Sequence, residues 1–185
     1  SIYCNDENIS SFEGIKYFVN VWEFTCYNNP LKELDVSGCE RLAILSCSHN
    51  NELAELNVSG CSNLTMLYLN DNNFSELDVS GCSGLTTLEC NNNNLSELNI
   101  DGCKRLQELQ CNYNNFSRLD VSNSSIRWLG CANNKLEELN LTNCSNMESL
   151  ACSSNSLEEL DLSHCSDLQG LGCSSNNLSE LDVSG

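Results

Sequence analysis

Apolar residues recur at a fixed spacing along this chain, in short segments where they alternate with polar residues. In "FSELDVSGC", Leu77 and Val79 fall on one side of an extended backbone, while Glu76 and Asp78 fall on the other. The segment "LTTLECNNN" repeats the alternation, with Leu88 on the inward side. A period of two over so few residues predicts short strands rather than helices.

The two segments together form a unit that repeats along most of the chain. Each copy starts at an apolar residue after an asparagine-rich stretch, in steps of 22, 21, 21, 21, 20, 21 and 21 residues: Leu31, Leu53, Phe74, Leu95, Phe116, Leu136, Leu157 and Leu178. A single coil cannot bury its apolar side, but stacked coils bury a continuous core. The repeat therefore predicts an elongated solenoid with two short strands in each coil.

The chain divides into two regions by the quality of the repeat. Residues 31–185 hold the tandem 21-residue repeats, with a truncated last copy, and are predicted to form one continuous solenoid domain. Residues 1–30 are predicted to be degenerate N-terminal repeats or a cap. They carry seven of the twelve aromatic residues, including Trp22 and Phe24, and we expect them to shield the end coil. Because the sequence begins with Ser1 rather than Met and has no apolar signal segment, we expect a processing boundary there.

Several segments resemble a known repeat family. "LTTLECNNNNL" matches the L-x-x-L-x-C-x-x-N-x-L signature of leucine-rich repeats, the unit with "LDVSGC" resembles the bacterial IRREKO type, and "FEGIKYFVNVWEF" is similar to internalin-type repeats. The resemblance implies a curved right-handed leucine-rich-repeat solenoid. Its concave face would carry a parallel β-sheet, each coil would add a second short strand, and there would be little or no α-helix. It also implies a bacterial cell-surface or secreted protein.

Fourteen cysteines follow the repeat in two columns. The first column lies at the "SGC" corner and the second at the end of the second segment: Cys39, Cys61, Cys82, Cys103, Cys144 and Cys165, then Cys4, Cys26, Cys47, Cys90, Cys111, Cys131, Cys152 and Cys173. Disulfides, metal ligands and apolar packing are the three hypotheses. The substitutions Leu69 and Ser124 within the columns, and the absence of C-x-x-C pairs, favour packing. We therefore expect no metal and no cofactor.

One asparagine column follows the second segment in every full coil: Asn50, Asn72, Asn93, Asn114, Asn134, Asn155 and Asn176. Backbone groups at a bend that lack a partner must be satisfied by side chains or water. We expect these asparagines to point inward and to form hydrogen bonds with the backbone. This structural role is favoured over a role in ligand binding.

The charge of the chain excludes some classes of partner. A net charge of −18 would repel phosphate groups, so we expect no binding to nucleic acid. No apolar run is long enough to cross a bilayer, and the charge favours a monomer. Outward acidic residues form a column through Glu76 and Glu97 that Arg118 interrupts. A solvated face is the favoured interpretation of this column, and weak capture of Ca²⁺ by oxygen ligands is the alternative.

The positions that flank each inward leucine of the second segment vary from coil to coil. Aromatic residues and Met at exposed positions are typical anchors of an interface. The candidate ligand-binding residues stand at positions that the pattern predicts to be exposed, all but Tyr113 in this variable set: Ile44, Met66, Tyr68, Glu89, Tyr113 and Trp128. We expect a protein or a glycan as the ligand.

Catalysis has little support in the sequence. His49 and His164 lie more than five repeats apart, so no Ser-His-Asp arrangement is indicated. "SGCSG" lies at a solenoid corner and opens no helix, so it is no phosphate loop. The sequence predicts a non-catalytic recognition module. The alternative is a structural spacer that holds another domain away from the cell and binds nothing itself.

Overall fold

The computed structural model describes residues 1–183, which contain short parallel strands, a single 3₁₀ turn and no α-helix. The 3₁₀ turn spans Ile15–Tyr17. The strands are β1 (Ile2–Tyr3), β2 (Glu23–Thr25), β3 (Glu33–Asp35), β4 (Ile44–Ser46), β5 (Glu55–Asn57), β6 (Met66–Tyr68), β7 (Glu76–Asp78), β8 (Thr87–Glu89), β9 (Glu97–Asn99), β10 (Glu108–Gln110), β11 (Arg118–Asp120), β12 (Trp128–Gly130), β13 (Glu138–Asn140), β14 (Ser149–Ala151) and β15 (Gly170–Gly172).

One parallel sheet of nine strands runs the length of the solenoid, in the order β1-β2-β4-β6-β8-β10-β12-β14-β15. Neighbouring strands pair without any shift, so Leu67, Leu88 and Leu109 stand side by side. These central leucines point into the core, while the first and third residue of each strand point outward. The predicted solenoid with a concave parallel sheet is confirmed.

The other strand of each coil comes from segments such as "FSELDVSGC" and lies on the side opposite the large sheet. These strands are divided into three pairs, β3 with β5, β7 with β9 and β11 with β13. The predicted second strand is thus present in the coils that start at residues 31 to 136. The coil that starts at Leu157 has no such strand within the described residues.

The core is a stack of layers in which each coil contributes leucines, a branched aliphatic residue at the corner, and cysteines. Phe74 and Phe116 take the place of leucine and are almost fully buried. The second cysteine column is buried as well except at its two ends, and burial raises the pKa of the Cys90 thiol to about 12. All fourteen cysteines are free thiols, and only Cys4 and Cys173 are partly exposed. This arrangement favours the packing hypothesis over disulfides.

The first cysteine column also makes hydrogen bonds. The Cys61 thiol donates to the carbonyl of Val36 in the preceding coil, with 3.3 Å between sulfur and oxygen. Cys103 donates to Val79 in the same way, at 3.2 Å. Each thiol therefore fills an apolar layer and gives the corner carbonyl a second donor, because Val36 already accepts the backbone N–H of Cys39 and Val79 that of Cys82.

The asparagine column forms the predicted inward ladder. The Asn50 side-chain amide donates to the carbonyl of Cys47 at 2.8 Å and to that of Cys26 in the preceding coil at 3.2 Å. Its carbonyl oxygen accepts the backbone N–H of Asn29 at 3.1 Å. Asn72 continues this pattern in the next coil. The ladder joins consecutive coils at the bend that follows the large sheet, so its role is structural.

The aromatic side chains of residues 1–30 differ in burial, and the shielding of the end coil by this segment stays a prediction. Phe12 packs edge-to-face on buried Phe24, with 5.0 Å between ring centroids. Tyr17, Phe18 and Trp22 are instead exposed. The 3₁₀ turn lies across the corner of the next coil and turns only its first residue inward, so the following aromatic residues face outward.

Candidate ligand-binding face

The outward residues of the nine-stranded sheet form a continuous surface, which we call the strand face. Its first row contains the first residue of each strand of this sheet, starting from β2: Glu23, Ile44, Met66, Thr87, Glu108, Trp128, Ser149 and Gly170. Its second row contains the third residue of each strand: Thr25, Ser46, Tyr68, Glu89, Gln110, Gly130, Ala151 and Gly172. Because strands are about 4.8 Å apart, residues of adjacent coils in one row are direct neighbours.

Five of the six predicted site residues lie on the strand face. Ile44 pairs with Met66 across β4 and β6, and Tyr68 pairs with Glu89 across β6 and β8. Trp128 lies two strands further along. Strand pairing therefore brings together residues that are far apart in the chain.

Tyr113, the sixth predicted residue, lies outside the strand face. It occupies the turn after β10, with a backbone φ of 57°, and its side chain is exposed. The equivalent residue of most coils also has a positive φ, as at His49 and Asn92. Asparagine tolerates this left-handed conformation better than tyrosine does. Tyr113 is thus an exposed side chain at a corner of the solenoid and not part of the sheet surface.

The apolar end of the strand face is formed by Ile44, Met66 and Tyr68. The Tyr68 hydroxyl donates to the Met66 sulfur at 3.4 Å. Partial burial raises the pKa of Tyr68, and the nearby carboxylates of Glu89 and Glu108 raise it further. The tyrosine ring thus lies at the border between an apolar and an acidic part of the surface.

The acidic centre of the strand face was only partly predicted from the sequence. Glu89 was a candidate, whereas Glu108 and Gln110 were not, although their strand pairs directly with that of Glu89. Glu89 accepts the side-chain amide of Asn70 at 2.7 Å. Both glutamates are half-buried. Among residues 1–183, neither takes part in an ion pair.

Trp128 borders a shallow depression of about 430 Å³ between β10 and β14. The guanidinium carbon of Arg127 lies 4.7 Å from the centroid of the indole ring, and Arg127 also forms an ion pair with Glu148. Gly130 forms the floor, where a Cβ atom would come within 2.1 Å of the side-chain oxygen of Gln110. A larger residue at position 130 would therefore displace Gln110 from the surface.

Next to the outward Glu column on the other side of the solenoid, the third residue of each strand alternates between Asp and Asn, and this alternation has a structural explanation. Asp78 accepts the backbone N–H of Ser80 at 2.9 Å, a bond that lowers the pKa of Asp78. Asn99 accepts the N–H of Asp101 at 3.1 Å in the same geometry. Either Asp or Asn can make this turn, which explains their alternation. Across the described range 1–183, no three Asp, Glu, His or Cys side chains converge as metal ligands would.

The two histidines stay apart in the fold. His49 lies at a corner with its Nδ1 atom 3.4 Å from an Asp71 carboxylate oxygen, and it lies in a different coil from His164. None of the helical structure in residues 1–183 is long and apolar enough to span a membrane.

Comparison with known proteins agrees with the geometry of the coils. The Leucine Rich Repeat family profile matches residues 63–85, about one coil. Comparison with curated proteins found no match. The chain has the leucine-rich-repeat fold. It superimposes on the functional domain of InlJ from Listeria monocytogenes, which includes a cysteine ladder, with a TM-score of 0.88 and 30% identity.

Two more distant structures share the fold. The leucine-rich-repeat domain of APL1B gives a TM-score of 0.66 at 19% identity, over 96% of this chain and 65% of that one. An internalin, inlF of Listeria monocytogenes, gives 0.53 at 19%, over 96% and 67%. The InlJ match covers 99% of this chain but 41% of the InlJ chain. The protein is thus structurally similar to internalin-type leucine-rich-repeat proteins, while spanning less than half of InlJ.

Proposed function

We propose that this chain is a non-catalytic recognition module of a bacterial cell-surface or secreted protein, and that it binds a protein or glycan through the strand face. Leucine-rich-repeat domains typically bind proteins, and the similarity to InlJ and inlF supports a bacterial surface role. We further propose that the repeats are of the IRREKO type. Residues 1–30 would be degenerate N-terminal repeats, and residues 31–185 one continuous solenoid domain.

The contrast between the two sides of the solenoid carries this proposal. On the strand face, equivalent positions hold apolar, acidic, aromatic and small residues in turn, although the backbone repeats. On the other side, the equivalent position is Glu in β3, β5, β7, β9 and β13 and changes only to Arg118 in β11. Packing does not require the variety of the strand face, because these side chains point outward. Such variety on a rigid scaffold is typical of a binding surface.

Arrays of purified extracellular-matrix proteins and of glycans test the proposal directly. The chain is expected to bind a small subset of either array, and the double variant Tyr68→Ala/Trp128→Ala is expected to lose that binding. A matched control replaces two exposed aromatic residues outside the strand face, Tyr17→Ala and Phe18→Ala. The control should keep the binding, because the strand face is intact.

The alternative function, a structural spacer, makes the opposite prediction. A spacer binds no member of either array, and its stability tolerates both double variants. Binding that survives the loss of Tyr68 and Trp128 but disappears in the Tyr17 and Phe18 control would contradict the strand-face proposal. It would place recognition on the N-terminal segment instead.

A further inference from the structure

We propose that the partner of the strand face is a basic polypeptide segment, whose Lys or Arg side chain lies over Glu89 and Glu108 with its methylene groups against Tyr68. This inference rests on the proposed function and names the chemistry of the ligand. Charge, neighbouring apolar surface and the surroundings of Trp128 each support a cationic occupant.

The strand face carries acidic groups without any basic residue. The nine strands of the large sheet contain Glu23, Glu89 and Glu108 but no Lys, Arg or His. Glu23 accepts hydrogen bonds from the hydroxyls of Ser1 and Tyr3. The other two glutamates are half-buried diagonal neighbours, because Glu108 pairs with Thr87 and Gln110 pairs with Glu89. Within the described chain no cation pairs with either glutamate. A cationic side chain from a partner would neutralise carboxylates that are less screened than fully exposed ones.

The surface next to these carboxylates suits the rest of a basic side chain. Lys and Arg carry aliphatic stems that pack on apolar surface while the charged group stays with its partner. Met66 and Tyr68 provide such a surface one strand away from Glu89. Tyrosine also attracts a cation through its ring. A partner's Lys or Arg side chain could therefore lie with its aliphatic stem on the apolar end of the strand face and its charged group at the acidic centre.

Arg127 provides an internal precedent at the opposite border of the acidic centre. Its guanidinium lies over the Trp128 ring, and its charge is neutralised by Glu148. Trp128 and Glu148 together thus bind the guanidinium of a residue of the same chain. Tyr68 with Glu89 and Glu108 forms a similar arrangement on the strand face without such a cation.

A neutral glycan is less well matched to this part of the surface. Sugar recognition also uses aromatic rings and carboxylates, but it gains nothing from two nearby negative charges that no cation within residues 1–183 neutralises. The depression beside Trp128 suits a sugar better than the acidic centre does, so a glycan is the competing occupant in the test.

Titration of the ¹⁵N-labelled chain with two small peptides tests the inference. The probes are Ac-Leu-Arg-Leu-NH₂ and Ac-Leu-Gln-Leu-NH₂, which differ in a single charged side chain. We expect the arginine peptide to shift the amide resonances of β6, β8 and β10, and the glutamine peptide to cause much smaller shifts. Raising the salt from about 50 mM to about 500 mM should weaken the binding several-fold, because the interaction is electrostatic.

A pair of matched double variants locates the effect. Glu89→Gln/Glu108→Gln should weaken binding of the arginine peptide about tenfold, because both carboxylates are lost. Glu76→Gln/Glu97→Gln removes the same charge from neighbouring strands on the opposite side and should leave binding unchanged.

Three outcomes would overturn the inference. Equal shifts with both peptides, or none with either, would show that the cation does not matter. Equal losses in both double variants would reduce the binding to unspecific attraction by net charge. Shifts on β10, β12 and β14 with chitotriose, and none with the arginine peptide, would identify a glycan instead. That last result would leave the proposed recognition function intact while excluding the basic partner.

Discussion

Single asparagine side chains replace the missing backbone partners at every bend after the large sheet. The Asn50 amide reaches carbonyls of its own coil and of the preceding one, while its oxygen accepts an N–H from the preceding coil. No apolar residue can do this, and an aspartate lacks the donating amide. The ladder therefore fixes the spacing between coils as well as the shape of each turn.

Replacing Asn50 by alanine should lower the free energy of unfolding by about 3 kcal/mol, because buried donors and acceptors lose their partners. Urea denaturation followed by circular dichroism measures this change. Asn51→Ala is the control, since the neighbouring side chain is exposed, and its effect should stay within about 0.5 kcal/mol. Equal effects at the two positions would show that the ladder does not stabilise the fold.

At the residue scale, the sequence predicted the packing roles of the cysteines and asparagines but not all of their hydrogen bonds. The exceptions Leu69 and Ser124 indicated that the cysteines are packing residues, and the inward asparagines followed from the need to satisfy the bend. The hydrogen bond from the Cys61 thiol to the Val36 carbonyl was not predictable from the sequence, because it depends on the distance between adjacent coils. The same holds for the left-handed turn at Tyr113, a residue type that gives no signal for this conformation.

At the scale of elements, the N-terminal segment is held against the first full coil by a few specific contacts. The Lys16 ammonium donates to Asp35 at 2.7 Å and, with the hydroxyl and N–H of Ser37, holds the pKa of Asp35 at about 2. Ile15 is buried, and its carbonyl accepts the Cys39 thiol. The backbone of this segment also passes so close to Gly38 that no side chain fits there.

Gly38→Ala should therefore release the N-terminal segment and leave the remaining coils folded. A Cβ atom at this position would lie 2.2 Å from the Lys16 carbonyl oxygen. Hydrogen exchange should show faster exchange at the Tyr17 and Phe18 amides, which donate within the 3₁₀ turn. We expect unchanged protection of the large sheet.

Gly81→Ala is the matched control for this variant. Gly81 occupies the same place in its "VSGC" corner, but its nearest neighbour would be 3.9 Å from an added Cβ atom. The control should behave like the unchanged chain. If both variants exchange alike, the close approach at Gly38 is not what positions the segment.

Element positions were more predictable than element partners. The alternation in "LTTLECNNN" placed the strand around Leu88 correctly, since a period of two fixes which side chains point inward. The break of the second sheet into pairs was not visible, because β5 and β7 have the same pattern as the strands that do pair. Glu108 was missed for the same reason, since its importance comes from its position between Glu89 and Trp128.

At the scale of the whole molecule, the thiols, amides and carboxylates that repeat from coil to coil have structural roles in the stacked layers and their turns. Twelve of the cysteines are buried, the asparagine ladder points inward, and the turn-forming Asp and Asn residues accept backbone N–H groups. The strand face differs from these regions, because its side chains vary from coil to coil and have no role in packing. The functional proposal therefore depends on the cysteine columns being inert interior packing.

Thiol titration tests this dependence most directly. In the native chain near pH 8, we expect a thiol reagent to modify only Cys4 and Cys173 quickly, because the other twelve thiols are buried and burial raises the pKa of those such as Cys90 and Cys82. Unfolding in urea without a reductant should then expose all fourteen. Fewer than fourteen thiols after unfolding, or rapid modification of the interior columns in the native chain, would contradict the account.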